Sequence, residues 1–167
     1  MDSCYIFLDI DGVLTSQQET PGSYINHEPE EYGLSKSCVK RLLKLADQLK
    51  AKVIVSSNWR RFTDDGTWCH MGTKVVKTPL PALKRVLGDR YAGDLTHERH
   101  LTKSEALELW FEDAGLDWKS CRYVVFDDDP REGFSWSKFR SHFILTNNEM
   151  GLTDTDCKKA VEILSKA

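Results

Sequence analysis

Several things are scarce in this chain of 167 residues, and each scarcity removes a class of protein. Cysteine is limited to Cys4, Cys38, Cys69, Cys121 and Cys157, an odd number without a C-x-x-C pair. That pattern excludes a disulfide framework and suits reduced packing thiols in a reducing, cytoplasmic compartment. No apolar stretch approaches the roughly 20 residues needed to span a bilayer, and the opening Met-Asp-Ser is not a basic segment followed by an apolar one. A membrane protein is therefore not expected. Excess positive charge is also missing: the formal net charge is −3, which argues against a broadly basic nucleic-acid surface while leaving room for a local basic groove. There is no internal repeat or low-complexity tract, so the expectation is one domain across residues 1–167, long enough to bury a real core.

What is present is an alternation of buried-strand and helix patterns, which predicts an α/β protein with a mainly parallel central sheet. Tyr5–Leu8 reads as a strand covered on both faces. Residues 16–33, with Pro21-Gly22 and the acidic Glu28-Pro29-Glu30-Glu31, read as a loop over a crevice. Val39, Leu42, Leu43, Ala46 and Leu49 fall at helical spacing behind Ser35 or Ser37 as N-cap. Lys52–Ser56 is the second strand, Lys74–Val76 a short one, and Pro79–Leu87 a helix stopped by Gly88. A further helix opens at Thr102, whose spacing to Glu105 fits a capping box, and runs to Ala114. Arg122–Phe126 and Phe143–Leu145 complete the strands, and the last helix starts near Thr153.

Three strand ends carry the chemistry. The first runs into Asp9-Ile10-Asp11-Gly12; ligands bind beyond the carboxyl ends of parallel strands, which puts Asp9 in the crevice and Asp11 on the turn behind it. Gly12 relieves the backbone where a side chain would clash. Two acids so close repel unless a cation lies between them, so a divalent metal is their natural complement. The second strand ends in Ser56-Ser57-Asn58-Trp59-Arg60, hydroxyls and backbone N–H groups suited to phosphate oxygens. The third ends in Asp127-Asp128-Asp129, again costly without a cation. Lys103 opens the helix between them, where its ammonium can reach both a phosphate and Asp9. Cys69, His70, His97 and His100 match no compact zinc spacing.

On these residues the chain resembles the haloacid dehalogenase (HAD) superfamily of phosphotransferases: Asp9-Ile10-Asp11-Gly12-Val13 as first motif, Ser56 as second, Lys103 as third and Asp127-Asp128 as fourth, spanning residues 5 to about 164. Arg99 and Lys74 are the alternatives to Lys103. More narrowly, Ser56–Arg60, the Trp110-bearing helix, the Asp-Asp strand end and Gly151-Leu152-Thr153 are similar to the small HAD domains of nucleic-acid repair proteins. The resemblance implies a Rossmann-like three-layer sandwich with a minimal cap. It also implies a Mg²⁺-dependent phosphomonoester hydrolase working through an aspartyl-phosphate. In that mechanism Asp9 is nucleophile and Asp11 general acid and base. Asp9, Asp11 through its carbonyl, Asp127 and Asp128 serve the metal, while Ser56, Ser57, Arg60 and Lys103 serve the phosphoryl group.

A minimal cap leaves the crevice open, which favours a substrate too large to enclose. The basic residues between Arg60 and Lys103, with Trp59, Trp68 and Tyr91 as stacking faces, point to a nucleic-acid end and a polynucleotide 3′-phosphatase. The alternatives are a nucleotidase or other small-molecule phosphatase, and a module that binds nucleic acid or protein without turnover.

Overall fold

The computed structural model describes residues 3–17, 33–61, 68–71, 74–95 and 100–165. Five strands form one sheet in the order β5-β2-β1-β6-β7, every pairing parallel: β1 is Cys4–Leu8, β2 Ala51–Val55, β5 Tyr91–Asp94, β6 Arg122–Asp127 and β7 Phe143–Leu145. β3 (Trp68–Met71) and β4 (Lys74–Lys77) pair antiparallel as a separate two-stranded ribbon. The central strand β1 is in register with β2 on one side (Leu8↔Val55) and β6 on the other (Leu8↔Phe126), so three chain segments end side by side at the same edge.

Both faces of the sheet are covered, which is why its strands read as continuous apolar runs rather than alternations. Ile6 and Leu8 of β1, Val53 and Val55 of β2, and Val124 and Phe126 of β6 pack against one helical layer. That layer comprises α1 (Lys36–Leu49), α2 (Leu80–Leu87) and α4 (Asp154–Ser165), which contribute Val39, Leu42, Ala46, Leu83, Leu87, Ala160 and Leu164. The alternate residues Phe7, Ile54, Tyr123 and Val125 face α3 (Lys103–Asp113) through Ala106, Leu107 and Phe111. Each such fully buried Leu, Ile, Val or Phe contributes about 1.5–3 kcal/mol over its exposed state. The α3 side is aromatic: Trp110 meets the rings of Tyr5 and Phe7 edge-on at 5.1 and 5.0 Å, and Phe111 meets Tyr123 at 4.9 Å.

Local signals explain the helix ends. Ser35, not Ser37, caps α1 by accepting the Cys38 N–H at 3.2 Å, and Lys50 closes it in the left-handed conformation. Gly88 (φ 52°) ends α2. Thr102 and Glu105 form the expected capping box, the Thr102 N–H reaching Glu105 at 2.7 Å. The sequence reading omitted β3 and β5. Most of the loop expected over the crevice, residues 18–32, lies outside the described residues.

Candidate active site

Asp9 stands one residue beyond β1, its N–H bonded to the Phe126 carbonyl, and Ser56 stands one beyond β2, its N–H bonded to the Leu8 carbonyl. Asp127 ends β6. The parallel register thus brings Asp9, Ser56 and Asp127 together at the carboxyl edge. Capping places Lys103 at the first helical position of α3, and its ammonium bridges the acids, 2.8 Å from Asp9 Oδ2 and 2.7 Å from Asp127 Oδ2. All three are buried. The remaining carboxylate oxygens are also engaged: Asp9 Oδ1 accepts the Ile10 N–H at 2.8 Å, and Asp127 Oδ1 accepts the Asp129 N–H at 2.9 Å.

Asp128 joins this group, for Asp9, Asp127 and Asp128 each offer a carboxylate oxygen, all within 4.8 Å of one another. Its position requires Gly12. That residue has φ 65°, and a Cβ built there would fall 2.3 Å from Asp128 Cγ. The turn carrying Gly12 is held on both sides, by its N–H to Thr15 Oγ1 at 2.9 Å and by its carbonyl accepting from Thr146 Oγ1 at 2.9 Å.

Electrostatics follow from this crowding. Burial, and then the neighbouring Asp9 charge, push the Asp127 carboxyl above the usual carboxylate range despite Lys103. Asp128 is raised by the same two causes in the same order. Burial opposes the Lys103 charge, but Asp9 and Asp127 outweigh it and hold the ammonium above the ordinary lysine value. A cluster in which acids strain toward protonation around one cation fits a further divalent ion, which prefers carboxylate oxygens.

The acids open into a cleft of about 360 Å³ lined by Asp9, Asp11, Asn58, Lys103, Asp128, Asp129, Pro130, Arg131 and Asn148. Asp11 is half-buried in its wall. Ser56 and Ser57 are fully buried and are not among the lining residues; the Ser56 hydroxyl has no hydrogen-bond partner, whereas Ser57 Oγ accepts the Trp59 N–H at 3.3 Å. For the third motif, Lys103 is the residue brought to Asp9; Arg99 and the Lys74 side chain lie outside the described residues. So do the side chains of Arg60, Arg61, Trp68, Cys69 and His70, and all of His97.

One expectation is corrected. Trp59 is not a stacking face: the short 3₁₀ turn Asn58–Arg61 tucks its ring into the core, leaving it 5 % exposed. Tyr91 is committed elsewhere, donating its hydroxyl to Asp94 at 2.8 Å with Lys84 over its ring.

Glu132 was not singled out from the sequence. Its two oxygens accept from Asn58 Nδ2 at 3.1 Å and from the Lys103 backbone N–H at 3.0 Å, tying the second-motif turn to the start of α3. An acid there also suits the positive end of the helix dipole. Its signal in the sequence is only an acid shortly after the Asp pair, since both partners are remote in the chain.

No helix among the described residues is long and apolar enough to cross a membrane. No curated protein matches the chain at a significant level. A family model described as the HAD domain in Swiss Army Knife RNA repair proteins matches residues 5–157, from β1 into α4. That span includes every residue of the acidic cluster and its lysine, and the chain belongs to this family of HAD domains.

Proposed function

We propose that this domain is a Mg²⁺-dependent phosphomonoester hydrolase that removes terminal phosphates, above all 3′-phosphates, from nucleic-acid ends. The observation that carries the reading is the triad of Asp9, Asp127 and Asp128 gathered beside a cleft, with one buried ammonium bridging Asp9 and Asp127. Asp9, Asp127 and Asp128, with the Asp11 carbonyl, would hold the metal, which supplies charge neutralisation for the phosphoryl oxygens and the acids.

Asp9 attacks phosphorus with a carboxylate oxygen; the bond to the leaving oxygen breaks, giving an aspartyl-phosphate and splitting one hard displacement into two easier ones. Asp11, on the cleft wall, gives its proton to the leaving oxygen, which departs as a hydroxyl, and then takes one from the water that hydrolyses the intermediate. The Lys103 ammonium, already within hydrogen-bond distance of Asp9, stabilises the transferring oxygens. The unpartnered Ser56 hydroxyl at the adjoining strand end supplies a further fixed donor. The family's association with RNA repair supports a polymer end as substrate.

Phosphate release tests this on a 3′-phosphorylated oligonucleotide, a 5′-phosphorylated one, nucleoside monophosphates and an aryl phosphate, in Mg²⁺ and in EDTA, with Asp9→Asn alongside. The expected result is preference for the 3′ end, loss in EDTA and a drop of several orders of magnitude in the variant. Preference for mononucleotides would make the domain a metabolite phosphatase, and silence on every ester would make it a binding module.

A further inference from the structure

The loop that follows the Asp127–Asp129 cluster is anchored at several residues. Asp129 caps the 3₁₀ turn Pro130–Glu132 through the Arg131 N–H at 2.9 Å. Glu132 is tied to Asn58 and Lys103. Gly133, at φ 90°, lies so close to Ser104 of α3 that a Cβ there would sit 2.5 Å from the serine Oγ. Phe134 opens a second 3₁₀ turn, Phe134–Trp136, and is fully buried.

Two large side chains nevertheless project from this loop into solvent. Arg131 is 87 % exposed and lines the mouth of the cleft. Asp129 holds its guanidinium through Nε (2.9 Å) and Nη2 (2.8 Å), which orients the plane and leaves both Nη1 hydrogens without a partner among the described residues. Apart from buried Lys103, it is the one cation among the described lining residues. Trp136 is 70 % exposed, the most exposed large hydrophobic side chain among the described residues, on the turn that packs against the one carrying Arg131. Its indole face is open to solvent on the turn next to the one that carries Arg131.

We propose that Arg131 and Trp136 form a docking ledge for the single-stranded nucleic acid whose terminal phosphate enters the cleft. Arg131 takes the neighbouring phosphodiester and Trp136 stacks a base. A pre-oriented guanidinium suits a phosphate geometrically, and an indole face accepts any base. The pairing matches a partner that carries negative charge and flat apolar rings in alternation, which a mononucleotide or aryl phosphate offers only at the reacting end. The inference rests on the reading of the site as a nucleic-acid end phosphatase and assigns its substrate discrimination to two residues outside the acidic cluster.

The test is the ratio of kcat/KM for a 3′-phosphorylated oligonucleotide to that for an aryl phosphate, in wild type, Arg131→Ala and Trp136→Ala. The ratio is expected to fall about tenfold in each variant, and Arg131→Ala alone is expected to lower the slope of log kcat/KM against log salt by about one. A ratio within twofold of wild type in either variant overturns the ledge while leaving the phosphatase reading intact. Wild-type protein that hydrolyses the aryl phosphate but not the oligonucleotide refutes the nucleic-acid reading and the ledge with it. If every ester is inert, fluorescence anisotropy of a labelled single strand decides: tenfold weaker binding by both variants sustains the ledge, and unchanged binding overturns it.

Discussion

Replacing Lys103 with Met keeps most of the length of the side chain and deletes its charge, leaving Asp9, Asp127 and Asp128 gathered with no cation. Removing one partner of a buried, hydrogen-bonded ion pair costs about 3–5 kcal/mol, because the remaining charge has neither water nor counter-ion. Lys103 is 1 % exposed and serves two carboxylates at 2.7–2.8 Å, so the upper part of that range applies. For a chain of this size each kcal/mol lowers Tm by about 2–4 °C, which gives a fall of roughly 8–20 °C.

The assay is thermal unfolding followed by circular dichroism in EDTA, repeated in Mg²⁺ and across pH. Burial and Asp9 raise Asp127, so between the ordinary carboxylate value and the raised one the folded state keeps a proton that the unfolded chain has released. Stability from this group therefore falls as pH rises through that window. Lys103 now tempers the effect, and its removal should steepen it. Lys103→Met should thus be worst at neutral pH in EDTA and should recover both in acid and in Mg²⁺. A variant that melts with wild type in EDTA at neutral pH would refute the claim that this ammonium neutralises the cluster.

Ser56→Ala should lower kcat/KM on an aryl phosphate roughly tenfold or more while leaving Tm unchanged or slightly raised, since the hydroxyl it deletes is buried and unpartnered. A clear loss of stability would instead make the hydroxyl structural. Gly12→Ala forces a left-handed residue, at a cost of about 1–2 kcal/mol, and drives a methyl into Asp128, so calorimetric titration should find weaker Mg²⁺ binding; unchanged affinity would remove Asp128 from the metal site. Thr102→Ala should cost about 1 kcal/mol. The Thr102 N–H, and then its hydroxyl, hold the Glu105 carboxyl below its ordinary value, so the hydroxyl-to-carboxylate part of the capping box is present above the ordinary glutamate value and fades as pH falls through the lowered one. Denaturant midpoints should show the penalty shrinking in acid.

The acidic strand ends were legible because the chemistry there is local: Asp9, Asp11 and the Asp127–Asp129 run announce themselves where an apolar run stops. Lys103 was legible through its neighbours, since the Thr102–Glu105 spacing fixes where α3 starts and hence which lysine opens it. β5 was missed because Tyr91-Ala92-Gly93-Asp94 at a sheet edge needs little apolar pattern, its residues being half-buried or exposed. Trp59 was misread because its basic neighbours suggest a surface, whereas a short turn directs the ring inward. Glu132 was invisible because its meaning lies in partners 29 and 74 residues away, a relation the fold creates. Trp136, beside the buried Phe134, could be sorted into inside and outside only once the turn was known.

The place of β1 in the sheet also sets an order of events during synthesis. The strand made early pairs on one side with β2, which emerges some tens of residues afterwards, and on the other with β6, more than a hundred residues later. Until then Cys4–Leu8 has one open edge, and Asp9 has neither Asp127 nor the Phe126 carbonyl that receives its N–H. Pairings between segments so far apart are slow, because the loop must close before any contact rewards it. A nascent chain halted before Arg122 would therefore expose a sticky apolar strand and hold no assembled acidic cluster, so Asp9 meets Asp127 and Asp128 only once Arg122–Asp127 and the residue after it have been made.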